Sequence, residues 1–198
     1  MHNDTGAGRD TSARIFTRQF MLRQAGIALV PVAALVAALA SGSFLLLDYV
    51  HVLSGAIWTG IDIFMGVVLA RMMRTMDIGT RVEIARKLTP RTLFLLPALA
   101  SVTITAGVYL ALIDGYFSPL SLWVVAALAV VAVLLVQGLG ILLPNSVRIL
   151  LELNRKDNKP DREKIARLNM FNLKLSASQA FFQIVIIFIM ANLAVGHP

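Results

Sequence analysis

Five stretches of this chain are too long and too uniformly apolar to be folded inside a water-soluble domain: residues 26–40, 44–70, 92–113, 120–143 and 175–195. A helix crossing hydrocarbon needs about 20 mostly apolar residues, because each adds ~1.5 Å to a core ~30 Å thick. Backbone groups in lipid must be paired within a helix or within a closed barrel, and these runs lack the period-2 alternation of a barrel strand. The expectation is an all-α integral membrane helical bundle with five transmembrane helices, a four-helix core plus an N-terminal helix. It forms one transmembrane domain over 26–195, between a basic tail at 1–25 and a short tail at 196–198. Overall composition agrees, with 58% hydrophobic and 15% charged residues.

The net charge of +7 would suit nucleic acid, but the positions of the cations give a simpler account. Arg9, Arg14, Arg18 and Arg23 precede the first run, Arg71 through Arg91 separate the second from the third, and Arg148 through Lys174 separate the fourth from the fifth. The other connections, 41–43 and 114–119, carry none. By the positive-inside rule this describes a plasma-membrane protein with a cytoplasmic N-terminus and an external C-terminus, in contact with lipid rather than nucleic acid. With no cysteine, thiolate metal sites, disulfides and c-type haem attachment are excluded.

Local signals refine this layout. Basic residues, a short apolar run and Ala38–Leu39–Ala40 also describe a signal peptide, but a retained first helix, tilted or kinked at Pro31, is the expectation. The loop "RMMRTMDIGTRVEIARKLTP" reads as an amphipathic helix lying at the interface, with Thr89 and Pro90 starting the third span. Pro144 should kink or end the fourth helix. Pro160, Asp161 and Glu163 should start a long fifth one.

Ionisable groups at membrane depth are costly and mark functional candidates. At 100° per residue, Asp48, His51, Gly55, Thr59 and Asp62 fall on one face of the second helix, which must meet protein, cofactor or water. Asp48 lies near the outer boundary, where it reaches headgroups or water. His51 is either hydrogen-bonded across helices or a ligand. Asp62 lies ~16 Å beyond His51 by helical rise. Gln137, Gln179 and Gln183 reach a similar depth, so the carboxylate is either a structural group satisfied by carboxamides or a proton acceptor on a path from the cytoplasm. Met190, on the Ser176–Gln179–Gln183 face of the last helix, is either packing or a second axial ligand opposite His51. Met72, Met73 and Met76 are either interfacial anchors or a soft Cu(I) site.

The segment "HVLSGAIWTG", with a histidine, six residues, a tryptophan and then a glycine, resembles the opening helix of the CopD/HemJ-like integral membrane superfamily. That superfamily contains the copper-resistance D domain, the HemJ-type protoporphyrinogen oxidase and uncharacterised relatives. "IARKLTPRT", "ITAGVYL" and "LLPNSVRILLEL" extend the resemblance over 44–195. It implies haem b as cofactor, with His51 as the iron or metal ligand, Met190 as a second ligand, and Trp58 and Gly55 shaping the pocket. Asp62 and Gln183 would then form a polar or proton-conducting connection. The implied function is redox, HemJ-like oxidation of a porphyrinogen or of another membrane-borne reductant. The stretch 122–134 lacks the lysine that the HemJ type carries, which weakens the porphyrinogen chemistry more than haem binding. The alternatives are a non-catalytic subunit of a larger membrane complex or a homo-oligomer, and copper or proton transport through Asp48, His51 and the methionines.

Overall fold

The computed structural model describes residues 18–155 and 159–196; readings that fall on 1–17 and 197–198 lie outside them. Among the described residues there is no strand beyond one isolated bridge, and five helices are long and apolar enough to cross a membrane. They are α1 (Arg18–Ser41), α2 (Phe44–Thr75), α3 (Ile78–Ile113), α4 (Leu122–Leu153) and α5 (Arg162–Ala194). Leu45, Val30, Leu122, Phe181 and Phe188 are among the many large apolar side chains left exposed on the outside, where a bilayer rather than water must cover them. The chain is therefore a multi-pass helical membrane protein in contact with lipid. α1 begins at Arg18, so its first two turns lie within the stretch read as a tail.

Helices α2 to α5 each start where a short polar side chain takes over an orphan backbone N–H. Ser43 accepts from the Leu46 N–H at 3.3 Å, Asp77 from that of Thr80 at 3.0 Å, Ser121 from that of Val124 at 3.3 Å and Asp161 from that of Lys164 at 3.0 Å. The Asp77 cap corrects the expected start of the third span. Thr89 and Pro90 do not begin a helix but lie buried inside α3, which starts at Ile78. The segment before them does not lie flat at the interface either. Its apolar positions Val82 and Ala85 pack on Ile149 of α4 and Ile165 of α5, so its apolar side is already occupied by protein.

Two helices contain π-helical turns, Phe64–Leu69 in α2 and Val136–Leu142 in α4. The second explains why Pro144 does not end α4. A proline ring clashes with the carbonyl one α-turn earlier, and the wider π turns just before it let the helix continue to Leu153.

The core is divided by depth. Near the α1–α2 turn, Leu35 and Ala38 of α1 meet Leu47 and Val50 of α2 and Val102, Ala106 and Leu110 of α3. At mid-depth Trp58, Leu99 and Leu134 bring α2, α3 and α4 together. Toward the Arg- and Lys-rich end, Met65, Leu69 and Met73 of α2 pack on Leu173 of α5. The four-helix core is thus α2 to α5, and α1 lies outside it against α2 and α3.

Candidate functional site

The stripe on α2 turns toward protein as its spacing requires. Thr59 and Asp62 are buried, Asp48, His51 and Gly55 are half-buried, and the residues between them that face outward include Val52, Leu53 and Ile57. The structure divides this stripe between two neighbours. His51 and Gly55 meet α3, whereas Asp62 meets α5.

His51 Nδ1 lies 2.8 Å from the backbone carbonyl of Thr103, an oxygen that can only accept, so Nδ1 carries the proton. The ring reaches that carbonyl because Gly107 has no side chain: a Cβ there would stand 2.7 Å from Cε1 of the imidazole. Gly55 lets α3 approach in the same way, since a Cβ there would meet the Thr103 methyl at 3.2 Å. The seat of the histidine is therefore Thr103 and Gly107.

Asp62 has no exposed surface. Its Oδ2 accepts from Gln183 Nε2 at 2.9 Å, and Oδ1 has no hydrogen-bond partner. The Ser176 hydroxyl, itself without a partner, and the Trp58 indole face the same carboxyl group. Ion pairs at the basic end join Glu83 and Glu152 to Arg86, Lys87, Arg155 and Lys164, whereas the partner that Asp62 bonds is the neutral carboxamide of Gln183. Of the three carboxamides at this depth, Gln183 alone makes the bond. Gln179 donates to the Leu134 carbonyl at 3.2 Å and Gln137 to the Ser178 hydroxyl at 3.2 Å.

Both π segments border this cluster. Gly66, within the first, presses on the backbone of Ala177, which brings α2 against α5 four residues below Asp62. Gly138, within the second, lies where a Cβ would stand 3.2 Å from Gln179 Nε2.

A cavity of about 60 Å³ adjoins the cluster, between α3, α4 and α5 and bounded by Trp58 and Met65 of α2. Asn169, Asn172, Ser176 and Gln179 line one wall, and Thr89, Thr92 and Ser146 stand on the others. From Asn169 to Gln179 it follows α5 for ~15 Å from the basic end inward. Leucines of α3 and α4, with Trp58 and Met65, make up most of the rest of the lining, so the space is mostly apolar with a polar wall on α5. The polar spacing 169, 172, 176, 179, 183 was legible in the sequence, but its first two members fell outside the stretch read as the fifth span.

The remaining candidates stay apart. From Gln183, level with Asp62, Met190 is seven residues outward (190 − 183) and His51 is eleven (62 − 51), which leaves Met190 ~6 Å short of the histidine's level. Of the clustered methionines, Met73 is fully buried with its sulfur 3.5 Å from Asn169 Nδ2, Met76 packs on the same core and Met72 points outward. No three of His, Asp and Glu gather as a metal site among the described residues. The fold and its polar centre thus define a multi-pass helical membrane protein with a buried carboxylate that Ser176 and Trp58 separate from a mostly apolar cavity. No family model, curated protein or solved structure matches the chain.

Proposed function

We propose that the protein binds and releases a proton at Asp62, reached along the polar wall that α5 gives the neighbouring cavity, and so serves as a proton-coupled or proton-conducting component of the plasma membrane. One observation carries this reading: a wholly buried carboxyl group has one oxygen bonded to Gln183 and the other unpartnered, beside Ser176 on the polar wall of a mostly apolar cavity. A structural carboxylate would have its acceptor sites filled. Here Oδ1 of Asp62 and Oε1 of Gln183 are both acceptors without donors, a defect that one proton on the carboxyl group relieves. Ser176 supplies a hydroxyl between the carboxyl group and the cavity, in reach of any water there.

Two measurements test the reading. Infrared difference spectra across a pH jump should contain a protonated-carboxyl band that Asp62→Asn removes, and proteoliposomes loaded with a pH dye should lose their proton flux in the same variant. Identical spectra and fluxes for both proteins would refute it. The basic residues at one end of the bundle support a cytoplasmic N-terminus and an external C-terminus. Because the chain lacks cysteine, single cysteines placed at Ser118 and Lys159 report sidedness cleanly, and only Lys159 should be protected from an external impermeant thiol reagent.

The seat of His51 supports a second reading, haem b with a redox role, as the CopD/HemJ-like resemblance implies. Metal-binding histidines usually donate their other ring N–H to a carbonyl or carboxylate, and the Thr103 carbonyl leaves Nε2 as the ligating nitrogen. The fit is partial, because Met190 stands short of the histidine's level. Iron held here by His51 would supply one-electron chemistry, while Thr103 and Gly107 would fix the orientation of the imidazole. Purified protein should then show a Soret band that His51→Ala abolishes; colourless protein from haem-replete cells would exclude it.

A further inference from the structure

The polar centre holds more unfilled oxygen acceptors than one proton can serve. Asp62 Oδ1, Ser176 Oγ and Gln183 Oε1 are all without a hydrogen-bond partner, and the residues that carry them are 0%, 1% and 2% exposed. The helices bring them together. Gln183 Nε2 donates to Asp62 Oδ2 at 2.9 Å, which sets the oxygen of the same planar carboxamide beside the carboxyl group. Ser176 stands seven residues earlier (183 − 176), on the same face of α5, and its hydroxyl faces that carboxyl group too.

A proton on the carboxyl group forms one bond along one line. A metal cation draws several oxygens to itself at once, and carboxylate, carboxamide and hydroxyl oxygens suit a hard ion. Charge selects among the hard ions. The groups that face the carboxyl group, Gln183 and Ser176 of α5 and Trp58 of α2, are neutral, so the carboxylate brings the one negative charge. A monovalent cation balances it, whereas a divalent one would leave a net positive charge buried. The approach continues along α5. One turn toward the basic end, Asn172 donates to the Ser146 hydroxyl at 3.2 Å and keeps its Oδ1 without a partner. Asn172 and Ser176 both line the cavity, ~6 Å apart along the helix.

We infer that Asp62 Oδ1, Ser176 Oγ and Gln183 Oε1 bind a sodium ion, which exchanges with the proton at the same carboxyl group. The inference rests on the proton reading of Asp62 and names the ion that competes there.

The test uses the intact chain purified in detergent, with sodium chloride exchanged for choline chloride at constant ionic strength. Sodium should raise the thermal unfolding midpoint of the wild type, by an equal step for each tenfold rise once the site is filled, and should leave Asp62→Asn where it is. Infrared spectra at a pH where the Asp62 carboxyl band is half developed should lose that band as sodium replaces choline. Ser176→Ala removes one ligand and keeps the carboxyl group. It should retain the band in choline and need about tenfold more sodium to lose it, the factor for one contact to a charged group. A carboxyl band that sodium does not alter would overturn the inference and leave the proton reading standing. A band missing in choline and sodium alike would refute the proton reading, and the inference with it. A sodium effect of equal size in Asp62→Asn would also overturn the inference, because it would arise elsewhere in the molecule.

Discussion

Gly107 decides whether His51 keeps its bond to Thr103, and the glycine should matter more to stability than the histidine. Gly107→Ala forces the ring off a carbonyl that it approaches at 2.8 Å, an overpacking cost of about 1–3 kcal/mol. His51→Ala removes one hydrogen bond of about 1 kcal/mol from a carbonyl inside a helix. Thermal unfolding in detergent should rank Gly107→Ala below His51→Ala, and the reverse order would show that the seat is looser than described. At Asp62, Asn conserves volume and can still pair with Gln183. Asp62→Asn should therefore unfold no earlier than wild type, since it removes the need to bury a charge. Gln183→Ala should cost about 1.5–3 kcal/mol in the wild-type background and less alongside Asp62→Asn, which a double-mutant cycle would measure.

At the scale of the element, the cap of α3 predicts a pH effect. The hydroxyl and backbone N–H of Thr80 hold the Asp77 carboxyl group below the usual aspartate range, at 2.5 Å and 3.0 Å. The folded pKa is the lower one, so this stabilisation is fully present above the unfolded value of about 3.9 and is lost as pH falls through the folded value. Hydrogen exchange at residues 78–82 should quicken, relative to the intrinsic rate, only in that acidic window. Asp77→Ala should show the faster exchange at neutral pH as well. The same cap shows where reading the sequence fell short: Thr89–Pro90 and Asp77–Thr80 both carry helix-start patterns. Burial of Val82 and Ala85 against α4 and α5 made the earlier one the true start. The crossing of α2 and α5 depends on Gly66. Gly66→Ala must part the two backbones and with them Asp62 and Gln183, whereas Gly60→Ala, whose Cβ would find no atom within 4 Å, should be nearly neutral.

For the whole molecule, the basic end is tied together by Glu152, which accepts from Lys164 at 2.7 Å, Arg155 at 3.2 Å and the Asp161 N–H at 3.4 Å. That carboxylate links the end of α4 to the start of α5. Glu152→Ala should speed proteolysis between 153 and 165 while leaving the membrane-embedded helices protected. Protection unchanged from wild type would mean that Ile149 and Ile165 hold this end without it. The long reach of α5 toward this end was legible beforehand from Pro160, Asp161 and Glu163, because a helix start is a local matter of caps and charges.

Sequence alone determined the number of membrane-spanning helices, the basic end and the polar face of α2, because each depends on hydropathy and on 100° per residue within one segment. Only the tertiary structure decided which neighbour each polar group meets: Thr103 and Gly107 for His51, Gln183 and Ser176 for Asp62, Leu134 rather than Asp62 for Gln179. Those pairings depend on the register between helices distant in the chain and on two π segments that rephase the faces of α2 and α4. Depth is nearly additive along a helix and can be counted from its ends. Azimuth and contact between helices are set by packing, and the sequence of one helix does not carry them.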